Sequence, residues 1–297
     1  MILDSRIIKK ETMERLKKIV EIEKLKGFVL ILQVGSNEDS NRYIKHKMKA
    51  LEEVGLSAVH QKYKEDVSEA EIIKDIEFYN HNEQCVGIIA QLPLPSRLNE
   101  EAIVNTIAPE KDIDGLTEVN LGRLFTKDKD RIKNGIAPAT AKGIIKLLDY
   151  YGIEVEGKDI AVVGRSNLVG KSVALMLCSL DATVEICHSK TSDLKSTLIT
   201  KDIVILAVGR GKMFDSSYFK KDAVVIDVGI NFVDGVMCGD ADFSSCLGNV
   251  KAITPVPYGV GTMTAITVIE NSILLALKQK EKRELNERNK TKSKGDN

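Results

Sequence analysis

Short apolar runs of strand length recur along this chain, each followed by a stretch with helical periodicity, and this alternation restricts the fold more than any other feature. FVLILQV (28–34), SAVHQKY (57–63) and CVGIIAQ (85–91) are the first strand candidates. A charged stretch over 9–26 carries Leu16, Ile19 and Val20 at helical spacing. A second, from about Ser40 to Val54, puts Ile44, Met48 and Leu51 on one face, and a third starts at Ser68. A βαβαβ succession requires a parallel sheet covered by helices. LPLP (92–95) ends the third strand, because proline has no N–H for a ladder. TKDKDRIKNGI (126–136) is charged and contains glycine, so it is expected to be an exposed connection and a domain boundary. Beyond it the alternation resumes with DIAVVG (159–164), ATVEIC (182–187), DIVILAVG (202–209) and AVVIDVG (223–229).

The expected fold is therefore α/β, with two α/β domains, the second a Rossmann-like doubly wound parallel sheet, and a cleft between them. The first domain is expected over 1–125, joined by a returning C-terminal helix at about 263–282. The second is expected over 136–262, and the charged residues 283–297 form a disordered tail. A length of 297 residues agrees with two cores rather than one. Forty-three basic and 43 acidic residues cancel, which argues against a nucleic-acid partner. The five cysteines are odd in number and lack CxxC spacing, so neither a disulfide framework nor a zinc site is indicated. All except Cys246 lie in or beside apolar segments and are expected in the core. The N-terminus has no secretory h-region, and no uninterrupted apolar run spans a bilayer, so a cytoplasmic location and no membrane partner are expected.

GRSNLVG (164–170) follows a strand and precedes a helical stretch, where a doubly wound fold puts its phosphate-binding turn. Gly164 permits the tight turn and Gly170 the close helix approach. An ordinary βα turn would look similar. The next strand discriminates between dinucleotides. NAD sites usually end it in an acid that bonds the ribose 2′-OH. Here it ends in His188, Ser189, Lys190 and Thr191, and Arg165 lies just after the turn. Hydroxyls and cations suit a 2′-phosphate, which favours NADP. Plain surface charge is the alternative for Arg165 and Lys190.

Tyr43 and Lys47 are four residues apart on a helical stretch, beside its apolar stripe. A lysine at such an edge loses solvent, which suits it to proton transfer, although a snorkelling surface lysine has the same pattern. Gln91 places a neutral amide at the carboxyl end of a parallel strand, the edge at which ligands bind in open α/β sheets. PEKDIDG (109–115) supplies a turn whose carboxylate can pair with the N–H groups of a pterin-like ring. Either Asp112 or Asp114 could instead be capping a helix.

Taken together, these segments resemble the bifunctional methylenetetrahydrofolate dehydrogenase/cyclohydrolase family. The resemblance runs from about Ser40 to Ala276 through SNRYIKHKMKALEEVGL, GIIAQLPLP, PEKDIDGLTEVNLGRL, VVGRSNLVGKSVALML, ATVEICHSKT, VVIDVGIN, GDADF and TPVPYGVGTMT. It implies that the first domain binds folate and the second NADP. It also implies that Tyr43 stacks on the folate, Lys47 assists proton transfer, Gln91 holds that lysine, and Asp114 anchors the pterin. Leu92, Pro93, Pro257 and Gly261 are the further substrate contacts implied. Gly164, Arg165, Ser166, Gly170, Ser189 and Ile230 are the cofactor contacts. The implied chemistry is NADP-dependent oxidation of 5,10-methylenetetrahydrofolate to the methenyl cation, then hydrolysis to 10-formyltetrahydrofolate. No metal is expected, because the iminium-like carbon is already electrophilic. A homodimer paired through the dinucleotide-binding domain is also implied.

Four positions depart from the family pattern. Ala141, Ser172 and Thr262 replace prolines, and Tyr258 replaces a glycine in a loop that the family places near folate and nicotinamide. The proline replacements are expected to be mild, since proline mainly fixes φ near a helix start. Tyr258 is expected either to crowd the ligands and weaken hydride transfer or to point to solvent. A cyclohydrolase with weak or lost dehydrogenase activity is therefore one alternative. A non-catalytic NADP or folate sensor is another, and an unrelated Rossmann dehydrogenase would explain only GRSNLVG.

Overall fold

The computed structural model describes residues 1–295, with the side chains of Asp39 and residues 290–295 outside the description. The chain forms two compact units, Met13–Glu118 with Val268–Asn297, and Met1–Thr12 with Val119–Thr267.

The elements that begin the chain are α1 (Arg6–Glu23), β1 (Phe28–Val34), α2 (Glu38–Glu53), β2 (Ser57–Tyr63), α3 (Glu69–His81), β3 (Cys85–Ala90) and α4 (Glu100–Thr106). The first unit holds a three-stranded parallel sheet of order β2-β1-β3. β1 and β3 are buried along most or all of their length, which explains their unbroken apolar runs. β2 is an edge strand, mostly open to solvent. The PEKDIDG segment extends the sheet beyond β3. There the Ile88 N–H donates to the Lys111 carbonyl (2.7 Å) and the Ile113 N–H to the Ile88 carbonyl (3.4 Å).

The second unit carries α5 (Glu118–Gly122), α6 (Lys129–Asn134), α7 (Ala139–Tyr150), β4 (Asp159–Val163), α8 (Gly170–Ser179), β5 (Thr183–Cys187), α9 (Leu194–Leu198), β6 (Ile203–Leu206), β7 (Val224–Asp227), β8 (Asn231–Val233), β9 (Val236–Cys238), α10 (Phe243–Cys246) and β10 (Ala252–Ile253). Its five-stranded sheet has the order β10-β7-β6-β4-β5, parallel throughout. Alternate residues serve opposite faces, as the period of two requires. Ile160, Val162, Ile203, Ile205, Val224 and Ile226 join one core, while Ala161, Val163, Val204, Leu206 and Val225 join the other. The strand order reverses between β4 and β6, so the turn after β4 lies at a topological switch point.

The units divide the chain differently from the sequence expectation. Residues 1–12 fall in the five-stranded unit. Leu3 donates to the Ile253 carbonyl (2.9 Å), and Ile253 donates to that of Met1 (3.0 Å), beside β10. The division also falls at 118/119 rather than between 125 and 136, so the expected linker must be corrected. Part of that segment is α6, with Asp128 accepting the Arg131 N–H (3.0 Å) at its start and Ile132 in the core. One buried residue in six is too little apolar signal to show a period.

The last helix, α11 (Val260–Gly295), contributes residues to both units and extends past the expected end near 282. The expected tail is thus helical to Gly295, and residues 296–297 lie outside the described residues. Its Glu, Lys and Arg residues favour helix, and just before it Lys280 pairs with Glu284 at i,i+4 (3.9 Å). Over 260–289 this helix is long and apolar enough to cross a membrane by length and composition, although Glu270 interrupts the run. A mostly buried core helix has the same composition, and 61% of its most apolar 18-residue window is buried inside the protein. Two cysteines also differ from expectation. Cys178 is exposed on the outer side of α8, and Cys246 is buried in the core that contains Phe214.

Candidate active site

Four of the expected chemical residues belong to the three-stranded unit. Asn37 starts α2 by accepting the Ser40 N–H (3.0 Å). The helix then buries Ile44 and Leu51, leaving Lys47 half-buried and Tyr43 exposed. Lys47 Nζ donates to Gln91 Oε1 at 3.1 Å. Gln91 stands one residue past β3, where its N–H donates to the Leu32 carbonyl (2.9 Å). Its Nε2 donates to the Leu92 carbonyl (2.9 Å), which fixes the amide orientation and turns Oε1 toward the lysine. Leu92 packs against the core of this unit, and the cis-linked Pro93 is exposed.

The KDIDG turn separates the two roles that its sequence left open. Asp112 holds the turn itself and caps no helix. It is buried and accepts the Gly115 N–H (2.8 Å), the Thr117 N–H (2.9 Å) and the Thr117 hydroxyl (2.8 Å). Asp114 is half-buried. Burial raises its pKa above the usual carboxylate range, the Lys47 charge opposes that rise, and Asp112 adds to it. The structure thus brings Lys47 onto Gln91, and the Lys47 charge is felt at Asp114. Sequence reasoning missed one supporting residue. Asn271 of α11 is buried and donates to the Ile113 carbonyl (2.9 Å), immediately before Asp114. The signal for it was an amide inside the mostly apolar AITVIENSILLAL.

The remaining expected residues belong to the five-stranded unit. Gly164 adopts φ +133°, and a Cβ on it would meet the Ala207 carbonyl inside van der Waals contact. A Cβ on Gly170 would clash in the same way with the Gly164 carbonyl. The turn is therefore tight because both glycines are present. Ser166 Oγ accepts the Val169 N–H (3.2 Å), and α8 starts at Gly170 with no side-chain cap. Of its first N–H groups, that of Lys171 donates to the Ser166 carbonyl (3.0 Å) and that of Val173 to the Val169 carbonyl (2.8 Å). The Gly164 N–H donates to the Cys187 carbonyl (2.9 Å), which links the ends of β4 and β5. Arg165, Ser189 and Lys190 are all exposed just beyond those two strand ends, and no acid occurs in 188–191. This donor set fits a dinucleotide with a 2′-phosphate. Ile230 and Gly261 are neighbours, since a Cβ on Gly261 would be 3.4 Å from Ile230 Cδ1. Pro257 is exposed after a cis bond.

Two buried carboxylates behind this edge were not expected. Asp227, ending β7, accepts the N–H groups of Gly229 (3.0 Å), Asp240 (2.9 Å) and Ala241 (2.8 Å). Asp240 accepts those of Val208 (2.7 Å), Gly209 (3.1 Å) and Arg210 (2.7 Å), and the Asn231 side-chain amide (3.0 Å). Together they hold the loops after β6 and β7, which flank Ile230. Burial pushes the Asp227 carboxyl up to about 7, against the pull of its backbone donors.

The three proline replacements each occupy the third residue of a helix. These are Ala141 of α7, Ser172 of α8 and Thr262 of α11. Ala141 is fully buried, and the Ser172 hydroxyl donates to the Asn167 carbonyl. Tyr258 is exposed, as the second expectation had it, and the Arg6 guanidinium lies over its ring, 4.9 Å from the centroid.

The fold and these residues define an α/β enzyme, with a dinucleotide-type turn in the five-stranded unit and a lysine–amide hydrogen bond beside a carboxylate in the three-stranded one. The tetrahydrofolate dehydrogenase/cyclohydrolase catalytic-domain description matches residues 3–114, and the NAD(P)-binding-domain description of the same family matches 138–280. The bifunctional protein FolD of Magnetococcus marinus is 41% identical over 280 residues, covering 92% of this chain and 95% of that one. That of Thermodesulfovibrio yellowstonii is 41% identical over 283 residues, covering 94% and 97%. The solved Campylobacter jejuni bifunctional FolD has a TM-score of 0.89 at 35% identity, covering 94% of this chain and 99% of that one. A Trypanosoma brucei FolD, solved with NADP cofactor and an inhibitor, has a TM-score of 0.87 at 30% identity, covering 94% and 97%. The chain belongs to the tetrahydrofolate dehydrogenase/cyclohydrolase family.

Proposed function

We propose that this protein oxidises 5,10-methylenetetrahydrofolate with NADP⁺ and hydrolyses the resulting 5,10-methenyl cation to 10-formyltetrahydrofolate. The observation that carries this is the Lys47–Gln91–Asp114 cluster at the carboxyl edge of a parallel sheet. Asp114 anchors the pterin by accepting its ring N–H groups, Tyr43 stacks on it, and Leu92, Pro93, Pro257 and Gly261 make the remaining substrate contacts. In hydrolysis, water adds to the electrophilic methenyl carbon and Lys47 Nζ takes a proton from it. The adduct then opens at the N5–carbon bond, its hydroxyl proton leaving to solvent as the formyl C=O forms on N10, while the Lys47 ammonium returns its proton to N5. Gln91 Oε1 keeps the amine directed and within reach.

Gly164, Arg165, Ser166, Gly170, Ser189 and Ile230 hold the dinucleotide, with Arg165 and Ser189 beside the 2′-phosphate. When bound, NADP⁺ supplies the acceptor for the hydride that leaves the methylene carbon. We further propose a homodimer paired through the five-stranded unit, acting in the cytoplasm.

The test is a spectrophotometric assay of the purified protein with 5,10-methylenetetrahydrofolate and NADP⁺, repeated with NAD⁺, and in parallel with 5,10-methenyltetrahydrofolate. The expected result is NADP⁺ reduction in preference to NAD⁺, together with methenyl hydrolysis. Hydrolysis without reduction would restrict the protein to a cyclohydrolase, and neither activity would refute the proposal.

A further inference from the structure

Tyr258 combines two observations that bear on one another. Its backbone has φ +77°, a left-handed conformation that suits the family's glycine and strains a tyrosine. Something must hold it there, and the N-terminal segment of the same unit reaches this loop at three points. The Ser5 N–H donates to the Tyr258 carbonyl (2.8 Å), and the Ser5 hydroxyl donates to the Gly259 carbonyl (2.9 Å) from a fully buried position. Arg6 covers the Tyr258 ring at 4.9 Å. The guanidinium is itself held by Asp4, with Nε 2.9 Å and Nη2 2.5 Å from Oδ2. Asp4 is anchored in turn, because its carbonyl accepts the Tyr151 hydroxyl (2.8 Å).

We propose that Arg6 and Tyr258 form a clasp that positions the 255–259 loop for folate binding, the cation–π contact offsetting the strain that a side chain brings to this glycine position. The proposal rests on the functional reading above, which places Pro257 among the substrate contacts. Tyr258 and Arg6 are positioning residues, because neither is assigned to the reacting atoms. The clasp raises the fraction of molecules whose loop is already in the binding geometry, and apparent affinity scales with that fraction. Once folate is bound the loop is in place with or without the clasp, so KM responds and kcat does not.

The experiment is a double-mutant cycle of Arg6→Ala and Tyr258→Gly, read by steady-state kinetics with both folate substrates and by thermal melting without substrate. Arg6→Ala is expected to raise KM for methylene- and methenyltetrahydrofolate alike, by about three- to fivefold, with kcat within about twofold. Tyr258→Gly added to Arg6→Ala is expected to bring KM back toward wild type, since glycine takes φ +77° without strain. A simple loss of packing predicts the reverse, a further loss in the double variant. An unchanged KM in Arg6→Ala, or no rescue by Tyr258→Gly, overturns the proposal. A wild-type protein without turnover would instead sink the functional reading. The clasp would then be judged from the melting temperatures, where coupling between the two substitutions supports it and strict additivity overturns it.

Discussion

The two units prepare their sheet edges in opposite ways. In the three-stranded unit functional side chains meet one another, with Lys47 on Gln91 and its charge acting on Asp114. In the five-stranded unit the buried carboxylates Asp227 and Asp240 mostly hold backbone N–H groups, while Arg165, Ser189 and Lys190 stand in solvent. The difference agrees with the chemistry proposed for each edge. Proton transfer needs an amine held within hydrogen-bond reach of the reacting water, so its rotamer must be fixed by neighbours. Phosphate recognition relies on a tight glycine turn, a helix start and nearby cations, which tolerate mobile side chains.

The largest expected effect breaks one edge and leaves the other intact. Lys47→Met keeps the bulk of the side chain and removes the amine. Methenyl hydrolysis is expected to fall about 10²- to 10⁴-fold, with folate binding retained and NADP⁺ affinity unchanged in an equilibrium titration. Hydrolysis within a fewfold of wild type would overturn the role of Lys47. A parallel loss of NADP⁺ binding would show that the two edges are not independent.

A smaller effect is expected from the exposed cations. Arg165→Gln combined with Lys190→Gln should weaken NADP⁺ binding by about tenfold, because two solvent-screened contacts to a 2′-phosphate are lost. NAD⁺, which lacks that phosphate, should bind with nearly unchanged affinity. Calorimetric titration of both dinucleotides, repeated at higher salt, checks this. Equal weakening of the two would move the cations from the 2′-phosphate to the pyrophosphate, and no weakening would leave them as surface charge.

The same contrast explains which features were legible in the amino-acid sequence. The strands could be read because buried parallel strands are unbroken apolar runs, and Tyr43 with Lys47 because a helix repeats its face every three to four residues. The Lys47–Gln91 contact spans 44 residues of sequence, yet the ends of α2 and β3 were both visible. Local pattern could not choose between Asp112 and Asp114, since both carboxylates sit in one turn and only the Gly115 and Thr117 donors distinguish them. α6 was hidden by its six-residue length. The Arg6–Tyr258 contact joins segments remote in sequence, the Asp227–Asp240 pair lies across the β8–β9 hairpin, and no periodicity announces either.

Asp227 provides the smallest and most discriminating test of the contrast. Its carboxyl holds a proton up to about pH 7 in the folded protein, whereas in the unfolded chain it ionises near pH 4. Between those values the folded state binds more protons, so its contribution to stability is full below about pH 4 and is lost as pH rises through 7. Asp227→Asn cannot titrate. The melting-temperature advantage of wild type over this variant should therefore shrink between pH 5 and 7.5, by about 3 °C. If Asp227 only holds loops, the pH profile of methenyl hydrolysis should keep its shape in the variant, because that chemistry belongs to the other unit. An advantage that grows with pH would mean that the backbone donors outweigh burial and keep Asp227 ionised. A shifted hydrolysis profile would mean that the buried carboxylates of the five-stranded unit are coupled to the proton site, and the division of labour between the two edges would fail.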